Sequence, residues 1–349
     1  MTEIMRVDGD LERLFRDVFT DWRNTRPEAA LRLSVDRDLW NKLDELGLTR
    51  LTSTADAPAG WIEAAALLRA AAKTAAPVPL AEHDLLAGWL LDRAGLPNSA
   101  ALRTVCLLDQ EGTAERVPWA AQADALVVIW GGPGAWKLAD VPASAASIDP
   151  SHDLAGQPRD TVRVDVAALT GTKIDDDTLR EYRLRGALAR TVQITGALER
   201  TVELCIQHAS ERRQFGRPIT RFQAVQHLIA EAASESALAV AATDAAVLEA
   251  AAPDPGLDSL EFVIATARSV TGHAASVVVR NAHQVHGAIG TTFEHQLHEF
   301  TKPALAWRSE FGSLHEWDAR LTALIVGSSG PAWDMVVPVP GTSVSRPDD

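Results

Sequence analysis

From Asp8 to about Leu102 apolar residues return every three or four positions, the spacing of one helix face. Leu11, Leu14, Phe15, Val18 and Phe19 predict a first helix. Val35, Leu39, Leu43 and Leu46 predict a second over Ser34–Leu46, with Gly47 placed where a left-handed C-terminal cap belongs. Trp61–Ala75 and His83–Ala94 complete a set of four, parted by Pro77-Val78-Pro79, which cannot continue a helix. Between Arg103 and about Thr172 the period shortens. Val105–Leu108, Ala125–Trp130 and Thr161–Val166 predict short strands, bounded by the turns Gly131-Gly132-Pro133-Gly134 and Gly156-Gln157-Pro158. In the third, Val162, Val164 and Val166 alternate with Arg163 and Asp165, the pattern of a half-buried antiparallel strand.

From Asp175 long helices return: Leu179–Ser210, Thr220–Ala252, Asp258–Val285, and a fourth from near Thr292 towards Val326 with a break expected at Pro303. Thr220 with Gln223, and Asp258 with Glu261, have the spacing of capping boxes, and Pro253-Asp254-Pro255-Gly256 makes a tight connection. Long helices with short connections imply an antiparallel bundle. The fold class that follows is mainly α with a small β domain. It divides into an N-terminal helical domain over 1–102, a reduced middle β-domain over 103–173, a C-terminal four-helix bundle over 174–330, and a loose Pro/Gly/Ser-rich tail over 331–349.

Composition narrows the function classes. Of 349 residues, 46% are hydrophobic and 23% charged, as in ordinary globular chains. Lys plus Arg is 33 against 47 Asp plus Glu, so the net charge of −14 argues against coating nucleic acid or an anionic membrane. No apolar run reaches the ~20 residues of a membrane span, since Asp244 and Glu249 interrupt even Ala237–Ala252. Met1–Asp10 carries acids and lacks an apolar signal core, so a cytoplasmic location is expected. Cys106 and Cys205 form neither a disulfide framework nor a CxxC pair.

Against that acidic background Arg212, Arg213, Arg217 and Arg221 crowd into ten positions around Phe215-Gly216 and Pro218, at the start of a helix. Free amides, the helix dipole and planar guanidinium forks favour a phosphate there; a solvated helix end with Gln223 in a capping box is the other reading. Gln284-Val285-His286-Gly287-Ala288-Ile289-Gly290 is a turn whose glycines admit close approach of a ligand, or simply serve a helix–helix connection. His283 and His286, and His295 and His298, are three apart beside Glu294 and Glu299. No HExxH and no cysteine completes a shell, so no metal site is expected. The ten tryptophans suit core and interface positions rather than a base-stacking platform. Neither GxSxG nor GxxxxGK[ST] is present, and Gly131–Gly134 lacks Rossmann spacing.

The order of these pieces, together with Glu211-Arg212-Arg213-Gln214-Phe215-Gly216-Arg217-Pro218-Ile219-Thr220-Arg221-Phe222-Gln223 and the Gln284–Thr292 turn, resembles the acyl-CoA dehydrogenase family from roughly Asp38 to Gly327. Leu39–Leu48 and Val117–Asp124 support the likeness. The resemblance implies an FAD-dependent removal of two hydrogens across Cα–Cβ of an acyl-CoA thioester, with a glutamate as base and hydride passing to the flavin. It implies electron-transfer flavoprotein as acceptor. It assigns Arg212, Gln214, Phe215 and Gln223 to the pyrophosphate and adenosine end of an FAD shared across a subunit interface, and Gln284, Gly287 and Ala288 to the same site, with Ala288 replacing a family glycine.

Two departures shape the expectation. The T-E-P-x-x-G-S-D and W-I-T-N stretches that cradle the flavin ring in the family are missing from Cys106–Asp124. At the helical position that supplies the base in some members stands Leu184-Arg185-Gly186-Ala187, without a carboxylate; the nearest equivalent of the alternative Y-E-G-T string is Ser309-Glu310-Phe311-Gly312-Ser313. Glu310 is then either a base or a surface carboxylate on the last helix. The chain so resembles a shortened subunit of the α2β2 steroid side-chain acyl-CoA dehydrogenases, giving the FAD adenosine half-site to a homologous partner that carries base, flavin cradle and acyl pocket. Two alternatives remain: a homo-oligomeric dehydrogenase using Glu310, and an assembly or regulatory subunit that binds no nucleotide.

Overall fold

The computed structural model describes residues 7–25, 34–53, 59–328 and Trp333; the tail predicted over 331–349 otherwise lies outside the described residues. Helix α1 (Gly9–Asn24) starts where the Asp8 carboxylate accepts the amides of Asp10 and Leu11, and it buries Phe15, Val18, Phe19 and Trp22. α2 (Arg37–Glu45) is shorter than predicted, because Asp36 acts as its N-cap by accepting the Leu39 amide. Gly47 takes φ +73°, and the Leu48 amide reaches back to the Leu43 carbonyl, the left-handed ending expected. α3 spans Trp61–Lys73.

The fourth predicted helix differs in kind. Ala81–Gly88 is a π-helix that runs on into α4 (Trp89–Arg93), and all eight of its residues are buried, Glu82, His83 and Asp84 among them. Each of the three finds a partner elsewhere in the fold. Asp84 accepts the Thr52 amide and the Ser53 hydroxyl, while burial raises its pKa. His83 Nδ1 accepts the Arg103 amide at 3.1 Å, and burial pulls its pKa down to about 4.

Strands β1 (Arg103–Leu107), β3 (Ala125–Trp130), β4 (Lys137–Pro142) and β7 (Thr172–Lys173) form one sheet in the order β1-β3-β4-β7, while β2 (Thr113–Pro118), β5 (Ser147–Asp149) and β6 (Arg159–Arg163) form another in the order β2-β6-β5. The central strand β3 is buried on both sides. Leu126 and Val128 meet Ala114, Val117 and Val162 of the second sheet, whereas Val127 and Ile129 meet Leu86, Leu90, Leu179 and Tyr182 of the helices. That is why its sequence is a continuous apolar run. β6 is antiparallel and half-buried, with Val162 buried and Arg163 exposed, but it spans Arg159–Arg163 rather than Thr161–Val166: Val164 lies beyond its end and Val166 begins a 3-10 turn.

The C-terminal part holds α5 (Asp176–Glu211), α6 (Gln223–Ala250), α7 (Leu257–His286), α8 (His298–Trp307) and α9 (Leu314–Gly327), with a two-stranded hairpin β8–β9 (Arg213–Gln214, Arg217–Pro218) after α5. Three expectations need correction. Neither predicted capping box forms: α6 begins at Gln223 and α7 at Leu257 without side-chain caps. Glu261 is instead buried and paired with Arg180 and Arg320, a stronger use of a carboxylate than an exposed cap. The chain breaks not at Pro303, which lies inside α8, but at Phe311 and Gly312, whose positive φ angles (55° and 115°) reverse its course. The segment Leu257–Thr291 is long and apolar enough to cross a membrane by length and composition, although no such segment was expected; 61% of its most apolar stretch is buried in the bundle, the position of a core helix.

α3 and α5 approach closely at Gly196, where a Cβ would stand 2.7 Å from the Arg69 carbonyl oxygen and 3.0 Å from the Ala72 Cβ. Gly196→Ala should therefore destabilise the protein by about 1–3 kcal/mol in urea unfolding, as overpacking does. Gly132→Ala, which meets nothing within 4 Å, should leave the midpoint in place. Equal midpoints for the two variants would refute this account of the contact.

Candidate functional site

The arginine-rich segment is built by the end of α5. The Arg212 amide donates to the His208 carbonyl at 2.8 Å and ends the helix; the Arg212 carbonyl then accepts the Ile219 amide at 2.8 Å, closing the hairpin. Phe215 (φ 50°) and Gly216 (φ 77°) form its two-residue tip, where both backbones must be left-handed. A phenylalanine in that conformation is strained and gains nothing from burial, since Phe215 is 91% exposed. Its ring meets the edge of the Phe222 ring, with centroids 6.2 Å apart. Arg212, Arg213, Arg217 and Arg221 are all exposed, and among the described residues none pairs with an acid; Arg217 lies over the Phe222 ring at 4.4 Å. Gln214 is exposed in the same hairpin, and Gln223 is exposed in the first turn of α6 with its amide free of the predicted cap.

The glycine turn closes α7. Gly287 ends the helix at φ 60°, ψ −143°, a conformation that demands glycine, and a Cβ there would meet nothing within 4 Å. Gln284, Gly287 and Ala288 are exposed around it. The two features, 75 residues apart between Arg212 and Gly287, adjoin in space through one ring contact: His208 stacks on His286 with centroids 4.5 Å apart and planes 28° apart. Arg212 follows His208 by one helical turn and Gly287 follows His286 directly, so hairpin and turn share one end of the bundle. The histidines spaced three apart in sequence are not the ones the fold groups together. His208, His286 and His295 converge instead, and burial lowers the pKa of all three, that of His286 to about 4.

Glu310 is neither on the last helix nor at the surface. It sits in the turn before α9 with its side chain 10% exposed. Arg159 Nη2 and Nε donate to Oε1 at 2.6 and 2.8 Å, and Arg190 Nε donates to Oε2 at 2.6 Å. Arg190 also holds Glu82 at 2.5 Å and Gln193 at 2.6 Å, while Arg268 gathers the carbonyls of Arg308, Glu310 and Gly312 at 2.9–3.1 Å. Burial alone would raise the Glu310 pKa, but Arg190 and Arg159 outweigh it and hold the carboxyl at about 2. A carboxylate that acidic, with both oxygens engaged, is a poor proton acceptor for an α-carbon. The neighbouring Phe311 ring lies where a side chain at Gly186 would be, 2.3–2.6 Å from its Cβ position, so neither base position of the family pattern presents a free carboxylate. Glu82, Gln157, Arg159, Arg190, Gln193 and Trp307 enclose only about 70 Å³ beside this network, against the ~300–1,000 Å³ of a ligand pocket. The sequence carried no signal for Arg159, Arg190 or Arg268, because what singles them out is burial.

Residues 181–314 match the family model described as "Acyl-CoA dehydrogenase, C-terminal domain". Among proteins similar in sequence, Acyl-CoA dehydrogenase FadE34 of Mycobacterium tuberculosis is 31% identical over 208 residues, which cover 57% of this chain and 27% of that protein. The chain thus spans about a quarter of this relative's length. Among solved structures, the ChsE4-ChsE5 complex from Mycobacterium tuberculosis superposes with a TM-score of 0.82 at 22% identity, covering 94% of this chain and 100% of that one. A Tcur3481-Tcur3483 steroid ACAD variant gives 0.78 at 22% identity, covering 91% and 97%. Identities this low establish a shared fold.

Glu310→Gln leaves Arg159 and Arg190 buried opposite a neutral amide, and should cost about 3–5 kcal/mol in urea unfolding at pH 7. The pH dependence follows from the lowered pKa. The ionised carboxylate contributes its full stability above its ordinary value near 4.5, and loses it as pH falls towards about 2. The loss of stability on acidification from pH 5 to 3 should accordingly be shallower in Glu310→Gln than in the parent protein. Parallel pH profiles would contradict the pairing.

Proposed function

We propose, from the match of residues 181–314 to the acyl-CoA dehydrogenase C-terminal domain and from the shared fold, that the chain belongs to the acyl-CoA dehydrogenase family and is one subunit of a heteromeric, FAD-dependent acyl-CoA dehydrogenase. It contributes the adenosine and pyrophosphate half of an FAD site, and a homologous partner carries the flavin cradle, the base and the acyl pocket. The observation that carries this reading is the hairpin of exposed arginines, unpaired with acids among the described residues, with Phe215 91% exposed at its tip. Such a surface is completed by something outside the chain, and its charge selects an anion.

The residues present fit the pyrophosphate and adenosine end of the cofactor. Arg212 would grip phosphate oxygens through paired N–H groups, with Arg213 and Arg217 adding positive potential. The backbone at Gly287 and Ala288 would approach the same oxygens without a Cβ in the way at Gly287, and Gln214, Gln223 and Gln284 would serve as polar contacts. Phe215 offers a ring face to the adenine. Bound FAD supplies hydride acceptance, while this chain's part is to hold and orient the nucleotide end. An exposed small-residue face on α6, with Leu238 at 55% and Leu248 at 43% exposure among Ala237, Ala241 and Ala245, suits close packing against a partner helix.

The substrate class we infer is a steroid side-chain acyl-CoA thioester, on the likeness to the steroid ACAD fold, with electron-transfer flavoprotein as acceptor. The homo-oligomeric alternative with Glu310 as base is disfavoured by the two arginines that hold that carboxylate. In the co-expressed complex Arg212→Ala should weaken FAD retention by about 10–100-fold, the loss of one charge-assisted contact of about 1.5–3 kcal/mol. Turnover per bound FAD in Glu310→Gln should stay within about twofold of the parent, because no proton transfer passes through it. A flavin-loaded, active oligomer of this chain alone would overturn the proposal. Unchanged FAD retention in Arg212→Ala would favour a role in assembly without nucleotide binding.

A further inference from the structure

Three imidazoles close on one another where the last turn of α5 meets the turn after α7. His208, His286 and His295 each bring one ring nitrogen within 4.8 Å of the other two. His286 stacks on His208 with centroids 4.5 Å apart and tilts against His295 at 4.6 Å. They come from α5, from α7 and from the turn before α8, so tertiary structure rather than helical repeat gathers them.

His286 is the centre of the group. It is 5% exposed, and its Nδ1 lies 2.8 Å from the Ala282 carbonyl, to which it can only donate. The proton therefore resides on Nδ1 and the lone pair on Nε2. That Nε2 is buried and has no hydrogen-bond partner among the described residues, a deficit of about 1–3 kcal/mol if left unfilled. An Nδ1–H donated to a backbone carbonyl is also how ligating histidines are commonly oriented. Gly290 lets the turn fold tightly over this ring, since a Cβ there would stand 2.7 Å from the His286 Cβ.

We infer that His208, His286 and His295 form a binding site for a divalent transition-metal ion of the zinc class. Three uncharged nitrogen donors suit zinc, cobalt or nickel and do not suit magnesium or calcium, which require oxygen. Bonds of about 2.0–2.1 Å set tetrahedral ligand nitrogens about 3.3 Å apart. The rings must therefore close by roughly an ångström or more, and His208 and His295, both only partly buried, have the freedom to do so. His295 Nδ1 accepts the Leu297 amide at 3.1 Å, so ligation through Nε2 requires that ring to release this bond and carry its proton on Nδ1. Three ligands leave a fourth position for water. Bound there, the ion clasps the end of α5 to the turn after α7. The inference does not depend on the FAD reading, because metal binding is measured directly.

The test uses the untagged full-length chain, purified without immobilised metal and titrated calorimetrically with Zn²⁺. One ion should bind per chain with a Kd of about a micromolar or below, and should remain after gel filtration. His208→Gln and His286→Gln should each weaken binding by about 100-fold, while His227→Gln, on the exposed face of α6, should not change it. Co²⁺ in place of Zn²⁺ should give the visible absorption of a four-coordinate site, lost in the same two variants. Absence of saturable binding, or binding that survives both substitutions, overturns the inference. Should His286→Gln fail to fold, His208→Gln alone decides, its ring being only partly buried.

Discussion

Arg190 is the interaction on which the interior depends. A guanidinium 2% exposed is costly to desolvate unless every direction is answered, and here Glu82, Glu310 and Gln193 answer it. Those partners belong to the π-helical segment, to the turn before α9 and to α5 itself. One side chain thus docks three remote pieces of chain against one another. Arg159 extends the network into the second sheet, and Arg268 fixes the carbonyls of the turn that carries Glu310. Once these ions are satisfied by one another, little space remains among them, and the cavity at their edge is about 70 Å³. The same charges that stabilise the ionised Glu310 deprive it of basicity, so structural and catalytic uses of this carboxylate exclude each other.

The arginines fall into two populations that the net charge of −14 conceals. Arg159, Arg190 and Arg268 are buried and engaged by carboxylates and carbonyls. Arg212, Arg213, Arg217 and Arg221 are exposed and carry no acid partner among the described residues, in a chain with acids to spare. Four arginines without an acid partner in one hairpin leave a local positive potential there. A strained, solvent-facing Phe215 at its tip lies on the same side of the account: it contributes nothing to the fold of this chain.

Much of the fold was legible where local pattern and tertiary role agree. The face of α1, the glycine after α2 and the continuous apolar run of β3 all follow from periodicity and φ preference. What escaped was decided by distant partners. Ala81–Gly88 reads as ordinary helix because nothing local marks a π-turn built around Glu82, His83 and Asp84. β2 and β4 carry Glu115, Arg116, Lys137 and Asp140, so their edges lack the apolar signature of β3. Gln223 and Glu261 stood at capping spacing, yet one is left free and the other is drawn into a buried pair with Arg180. Of the candidate site, both halves were visible as motifs, but their adjacency was not, since no sequence rule links His208 to His286.

That adjacency bears on how an anion would be held. The hairpin after α5 and the turn after α7 are each short, and a surface assembled from two mobile loops would lose affinity to the ordering of both. Here each loop is anchored within a turn of its own helix, and the helices are tied by the stacked imidazoles and by the core of Leu204, Cys205, Ala282 and Val285 beneath them. The Arg212 carbonyl already accepts the Ile219 amide, and the Gly287 N–H donates a hydrogen bond to the His283 carbonyl. The backbones of both loops are therefore held in place before any ligand arrives. In the proposed reading a partner chain supplies the ligand's other half, and the anchoring of both loops lowers the cost of accepting it.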